Sequence, residues 1–434
     1  MKISLHLRLT ILVSAIFGLS PLLIAQTFHV RQGANGNGSD WNNAYGSLPS
    51  TLVRGATYYI ADGSYPSYTF DDPNTGTSQI TIKKATESEH GTTIGWSSSY
   101  GDGQASFSGG FVMITDYYVI DGSKRDESNW YNGLSYGFRL PSITSDSIAF
   151  GNASDHITVK YCDMGGNFSE TYYSGMGDAI KVAYSQTDWT VSRCFIHNSV
   201  GTMVQFAGVS NSLVEFCWFG PSWGKVAIRG QVSCTNTTFR HNIFYNAAQT
   251  DPEDSTSGLT AEIALWDGPS WDNNEIYGNI FYSKVTGGRN TSILVGGNGS
   301  SWVGAGGANT KVYNNTFVGF VEPAVFPMIL LNGSSTEAKN NLFFDCIDSD
   351  VSASSASNNL RATADPFVNL SSMDFRLHES SQARNSGIQL GGPPYDVDRL
   401  GNRRGADGAW DVGAYEFSIG IGVTPTAPSD LQIQ

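Results

Sequence analysis

Four short alternating runs in the middle of the chain carry residue types able to handle an anionic polymer. They read Ala179-Ile180-Lys181-Val182, Met203-Val204-Gln205-Phe206, Ala227-Ile228-Arg229-Gly230 and Ala264-Leu265-Trp266-Asp267. Taken as strands, each run alternates its side chains, so Ile180, Val204, Ile228 and Leu265 point inward. Lys181, Gln205, Arg229 and Trp266 then form one outer column, with Ala179, Met203, Ala227 and Ala264 on the same face and Lys225 and Glu262 beyond them. Lys181 and Arg229 fall two strand spacings apart, roughly 10 Å, with an amide between. Two cations, an amide and Lys225, in a chain of formal charge −14, suit an anionic sugar chain. Trp223 and Trp266 offer faces on which sugar rings could stack. The plain alternative is a row of solvated residues of the kind any β face presents.

Acids stand near the same column. Asp178, Glu262 and Asp267 admit a second chemistry, hydrolysis of a glycosidic bond by paired carboxylates, whose separation depends on loops that sequence does not fix. Asp251-Pro252-Glu253-Asp254 could bind calcium together with Glu262, although such a run is more commonly a solvated loop. His197 and His241 stand on the turn side, away from the column, where a structural role is favoured. The chain contains no Walker loop, no H-E-x-x-H and no C-x-x-C.

What must hold these positions in line is a repeat. Val159-Lys160-Tyr161-Cys162, Val191-Ser192-Arg193-Cys194, Val214-Glu215-Phe216-Cys217, Phe239-Arg240-His241-Asn242, Ile276-Tyr277-Gly278-Asn279, Val312-Tyr313-Asn314-Asn315 and Ala338-Lys339-Asn340-Asn341 are copies of one unit. Its shortest spacings run from 23 residues (Cys194 to Cys217) to 26 (Asn315 to Asn341), and the 37 between Asn242 and Asn279 reads as the same unit with an inserted loop. Short β-like runs at such a period predict a solenoid, and a parallel β-helix satisfies them. Stacked coils would set Cys162, Cys194, Cys217, Asn242, Asn279, Asn315 and Asn341 in a ladder. The cysteines read as buried packing residues, with disulfides between adjacent coils as the alternative.

Composition agrees with an all-β fold. The 434 residues include 49 glycines, are 12% aromatic and only 15% charged, which excludes a helical bundle and disorder alike. The acidic balance disfavours nucleic acid. Met1 to Ala25 has the pattern of a secretory signal peptide, with a retained anchor as the alternative. Residues 26–417 then form one solenoid domain, expected to act outside the cytoplasm as a monomer, and 418–434 is a linker or tail.

The chain resembles secreted right-handed parallel β-helix proteins of the pectate-lyase-like superfamily. The likeness rests on Phe28 to Arg31, on Arg54 to Tyr65, on Ala364 to Phe367 and Asp374 to Leu377, and on Arg404 to Glu416. These motifs specify fold well and reaction poorly. The resemblance implies β-elimination from an extracellular acidic polysaccharide. Arg229 would then be the leading base, Lys181 and Gln205 would neutralise the substrate carboxylate, and Lys225 would assist, with Trp223, Trp266 and Glu262 binding substrate. Calcium is a possible cofactor by the same resemblance, although Ala179 stands where an acid would be expected. A glycosidase and a glycan-binding surface protein without catalysis remain as alternatives.

Overall fold

A computed structural model describes residues 26–142, 148–150, 154–166, 177–199, 201–222, 224, 226–248, 260–283, 291–297, 306–321, 326–347 and 350–418. The repeat folds as read. Val159, Val191, Val214, Phe239, Ile276, Val312 and Ala338 are buried and sit at one register in consecutive parallel strands. These strands belong to a twelve-stranded sheet running from Thr27–Val30 to Ser355–Ser357. Each repeat then turns through one left-handed residue, such as Tyr161, Arg193, Phe216, His241 or Asn314. Most of these carry a side chain, so each turn costs on the order of 1 kcal/mol of backbone strain.

Bonds from the ladder offset that cost. The backbone N–H of Cys217 donates to Asn242 Oδ1 at 3.0 Å, that of Asn242 to Asn279 at 2.9 Å, and that of Asn279 to Asn315 at 3.0 Å. Each amide nitrogen in turn donates to a strand carbonyl, as Asn279 Nδ2 does to Phe239 O. Cys194 N–H reaches Cys217 Sγ at 3.4 Å, so sulfur stands in for the amide oxygen where the ladder changes residue type. All five cysteines are free and buried, as packing residues should be. The ladder runs one rung further than the repeat suggested, because Asn359 accepts from Asn341 N–H.

Inside, Phe219, Phe244, Phe281, Phe317 and Phe343 stack with successive ring centres 4.8 Å apart, which measures the rise per coil. The strands after the ladder turn form a second sheet whose outer face is covered. The closing segment lays Phe367, Phe375, Leu377, Ala383, Val412 and Ala414 against Ile280, Tyr282, Val318 and Leu342. From the other end, Trp130 and Tyr136 pack on Phe195 and Trp218. The third sheet runs through Ile180–Thr187, Val204–Ser210, Val226–Thr235 and Ala261–Leu265, and the first three of these strands keep partly exposed side chains on their outer face. Among the described residues no helix is long and apolar enough to cross a membrane. The architecture is a right-handed parallel β-helix.

Candidate active site on the third sheet

Parallel pairing puts Ile180 beside Val204 and Val204 beside Ile228, all buried. Alternation therefore turns Lys181, Gln205 and Arg229 outward as register partners in three successive coils, and all three are half-buried. At one 4.8 Å rise per coil the two cations stand two rises apart.

The fourth member differs from expectation. Arg229 pairs with Ala264, and Trp266 lies two residues further along. The pattern was ambiguous because a strand has period two, so a slip of two residues leaves every side chain on its expected face. Ile263 matches Ile228, while Leu265 stands beside Gly230 and still points inward. Ala179, Met203 and Ala227 also differ, since they join the interior cluster instead of the outer face. Ala179 and Met203 precede their strands and follow the turn, where pleat alternation does not hold. Beyond Arg229 the outer face becomes apolar, with Ala264, Leu294 and Leu330 packed together against Trp266.

The Arg229 guanidinium carbon lies 5.5 Å from the Trp266 ring centre, within cation–π range. Gln231, two residues on and on the same face, was not singled out by sequence, although its place in the alternation marks it. Its amide lies 3.0 Å from Gln205 Nε2, and with the amide oxygen turned toward Arg229 it accepts from both Nη2 and Nε. Burial pushes the Arg229 pKa below its ordinary value, while the charges of Asp178 and Asp267 act in the opposite direction.

Asp178 Oδ1 accepts from Thr202 N–H at 2.8 Å, and Oδ2 lies 4.0 Å from Lys181 Nζ. One backbone bond thus holds this acid at the foot of the column. Glu262 is only 2% exposed and accepts from Ser292 Oγ at 2.8 Å, so it is not presented on the open face. Asp267 is exposed and lies beside the Gln231 amide. Trp223, Lys225 and the run Asp251, Glu253 and Asp254 lie outside the described residues.

The histidines stand apart from this column. His197 Nε2 is 2.8 Å from Asp163 Oδ1, whose other oxygen pairs with Arg139, on the outer face of the second sheet. His241 is buried, and desolvation first, then Arg240, Arg399 and Arg404, hold it well below the ordinary histidine pKa. Both suit the structural role favoured from sequence.

A calcium site needs six to eight oxygen donors. Among the described residues the acids whose oxygens gather in a group of three are Asp407, Asp411 and Glu416, in the closing coil. Their carboxylates already accept from Asn385, Phe417, Gly405 and Asp411 N–H and from Arg384. The donors described around Arg229 do not fit such an ion.

These features define a class: a parallel β-helix whose third sheet carries a Lys-Gln-Arg column on its outer face. No protein-family model matches the chain, and no curated protein matches it. Among solved structures it is similar to the pectate lyase Pel9A, with a TM-score of 0.58 over 91% of this chain and 96% of that one, at 14% identity. A likeness at that identity shows the shared fold.

Proposed function

We propose that the chain is an exported polysaccharide lyase that cleaves an acidic extracellular polysaccharide by β-elimination. The observation that carries this reading is the column itself: a desolvated Arg229, aligned with Gln205 and Lys181 on the outer face of the third sheet. The similarity to a pectate lyase supports it.

The proton to be removed from a uronate lies beside its carboxylate, so negative charge must be neutralised where it develops. Lys181 and Gln205 supply one cation and one amide donor for that purpose. Arg229 would take the proton. An arginine base is ordinarily scarce in neutral form, and the burial of Arg229 favours that form. Gln231 fixes the direction of the guanidinium. The electron pair left on carbon then forms a double bond as the glycosidic oxygen departs with the pair of the broken C–O bond and takes a proton from water.

The assay is ultraviolet absorbance of the unsaturated product on pectate, alginate, ulvan and glycosaminoglycans, with and without chelator. A rise on one polymer supports the lyase and names its substrate, and the chelator arm decides whether calcium takes part. New reducing ends without absorbance would give the site to Asp178 and Asp267 as a hydrolase. Retention of a polymer with no product would make the protein a glycan binder.

A further inference from the structure

Val232 follows Gln231 on the strand that carries Arg229, and it combines two unfavourable properties. Its φ is +64°, a left-handed conformation that a β-branched residue adopts only at a cost, and its side chain is 56% exposed. The backbone geometry belongs to the fold. The pairing shifts register here in the coils of Ser185, Gly208 and Val232, the first two of which are also left-handed, and Asp267 in the coil after Val232 is left-handed as well. Val232 N–H donates to Asp267 O, and a Cβ at Gly268 would come within 2.0 Å of Val232 O, so this bulge is pinned. Glycine, as at 208, would serve it at lower energy. A strained and exposed valine therefore gains nothing for folding, which is the circumstance in which strain points to function.

Two further exposed aliphatics share this sheet. Val112 and Ile114 are 36% and 39% exposed, and Val112 pairs with Ala149, in the coil beside that of Lys181. The cationic column is thus flanked on one side by Val112 and Ile114 and on the other by Val232 and Trp266. The C–H face of a plain polyuronate can stack on Trp266, but such a polymer carries no methyl group to meet the aliphatic side chains of Val112, Ile114 and Val232. We infer that Val232 is a specificity-determining contact, and that the substrate is an acidic polysaccharide in which the uronate bound at Arg229 adjoins a sugar bearing an apolar substituent such as O-acetyl, O-methyl or deoxy carbon. This rests on the lyase reading of the Arg229 site.

The test compares wild type with Val232→Gly and Val232→Asn on O-acetylated polygalacturonate and on the same polymer after saponification. Loss of methyl contacts should lower kcat/KM on the acetylated polymer about tenfold, mainly through KM, and leave the saponified polymer within about twofold. Val232→Gly should melt no lower than wild type, which separates this role from a structural one. Equal effects on both polymers, or none, would overturn the inference while leaving the lyase reading intact. If wild type cleaves neither these two polymers nor pectate, alginate, ulvan or any of the glycosaminoglycans, the lyase reading fails, and affinity electrophoresis on the same pair decides the contact. Weaker retardation of the variants by the acetylated polymer alone would support it, and equal or absent retardation would sink it.

Discussion

Arg229 and Trp266 meet across adjacent coils at 5.5 Å although they are not register partners. The indole adds to the burial of the guanidinium, and the desolvation of that burial lowers the arginine pKa, outweighing the cation–π attraction that favours the charged form. Replacing Trp266 with alanine should let water in and raise that pKa toward its ordinary value. Less of the base is then neutral at a given pH, so the rise of kcat/KM with pH should move to higher pH. An unmoved profile would separate the indole from the chemistry.

Arg229→Ala should abolish elimination by about a hundredfold or more, the usual scale of a lost general base, with polymer binding retained. Arg229→Lys restores a base whose ordinary pKa, about 10.4, lies well below that of arginine. Its activity should therefore appear at lower pH than in wild type, at a reduced maximum. The measurement is the pH dependence of product absorbance for all three proteins, and equal activity in Arg229→Ala would remove Arg229 from the mechanism.

The coil, its ladder and the outward direction of Lys181, Gln205 and Arg229 were legible because each rests on a short-range rule, namely period two within a strand and like residues stacked between coils. The register of Trp266 was not, because the segment before Ala261 breaks the spacing and a two-residue slip preserves every face. Gln231 escaped notice for a different reason. Its importance lies in a bridge between the amides and guanidinium of two adjacent coils, and no sequence pattern records which outward neighbours touch. Asn359 was hidden because its own copy, Ala356-Ser357-Asn358-Asn359, is followed by Leu360-Arg361 and lacks an aromatic pair. The closing segment over the second sheet is a tertiary fact, carried by apolar residues far apart in the chain.

Asn279 sits between two rungs, accepting from Asn242 and donating to Phe239 O. Asn279→Ala strands a buried N–H on Asn242 and a buried carbonyl on Phe239, at about 1–3 kcal/mol for each group left unsatisfied. Thermal unfolding should fall by several degrees, while Asn279→Asp should lose less because an acceptor remains. A melting temperature equal to wild type in Asn279→Ala would show the ladder to be dispensable.

The thiols of Cys234 and Cys346 are pushed up to about 12 and about 11 by burial. The folded protein should therefore resist a thiol-specific reagent at pH 8 and release all five cysteines only in denaturant. The linked effect on stability follows from the sign of the shift. Folding keeps these thiols protonated, so their contribution is full below about 9, the unfolded value, and is lost as pH rises toward 11 and 12. Cys234→Ser should flatten part of that alkaline decline, at some cost in packing, and an unchanged slope would assign the decline to other groups.

Glu416 closes the last coil, accepting from Gly405 N–H at 2.5 Å and Asp411 N–H at 3.0 Å beside the Arg404 guanidinium. Burial raises its pKa to about 7 from 4.5, against the pull of those bonds. A carboxyl whose folded pKa is raised stabilises fully below its unfolded value and progressively less as pH climbs through its folded one. Its contribution is therefore present near pH 4.5 and declines by pH 7. Melting curves of wild type across that window should show the decline, superimposed on those of other groups. Glu416→Gln, which cannot ionise, should melt lower overall because its amide nitrogen faces an N–H donor, yet its dependence on pH between 4.5 and 7 should be shallower. A variant with the wild-type slope would move the pH sensitivity of the closing coil from Glu416 to Asp411, whose pKa is raised by burial in the same way.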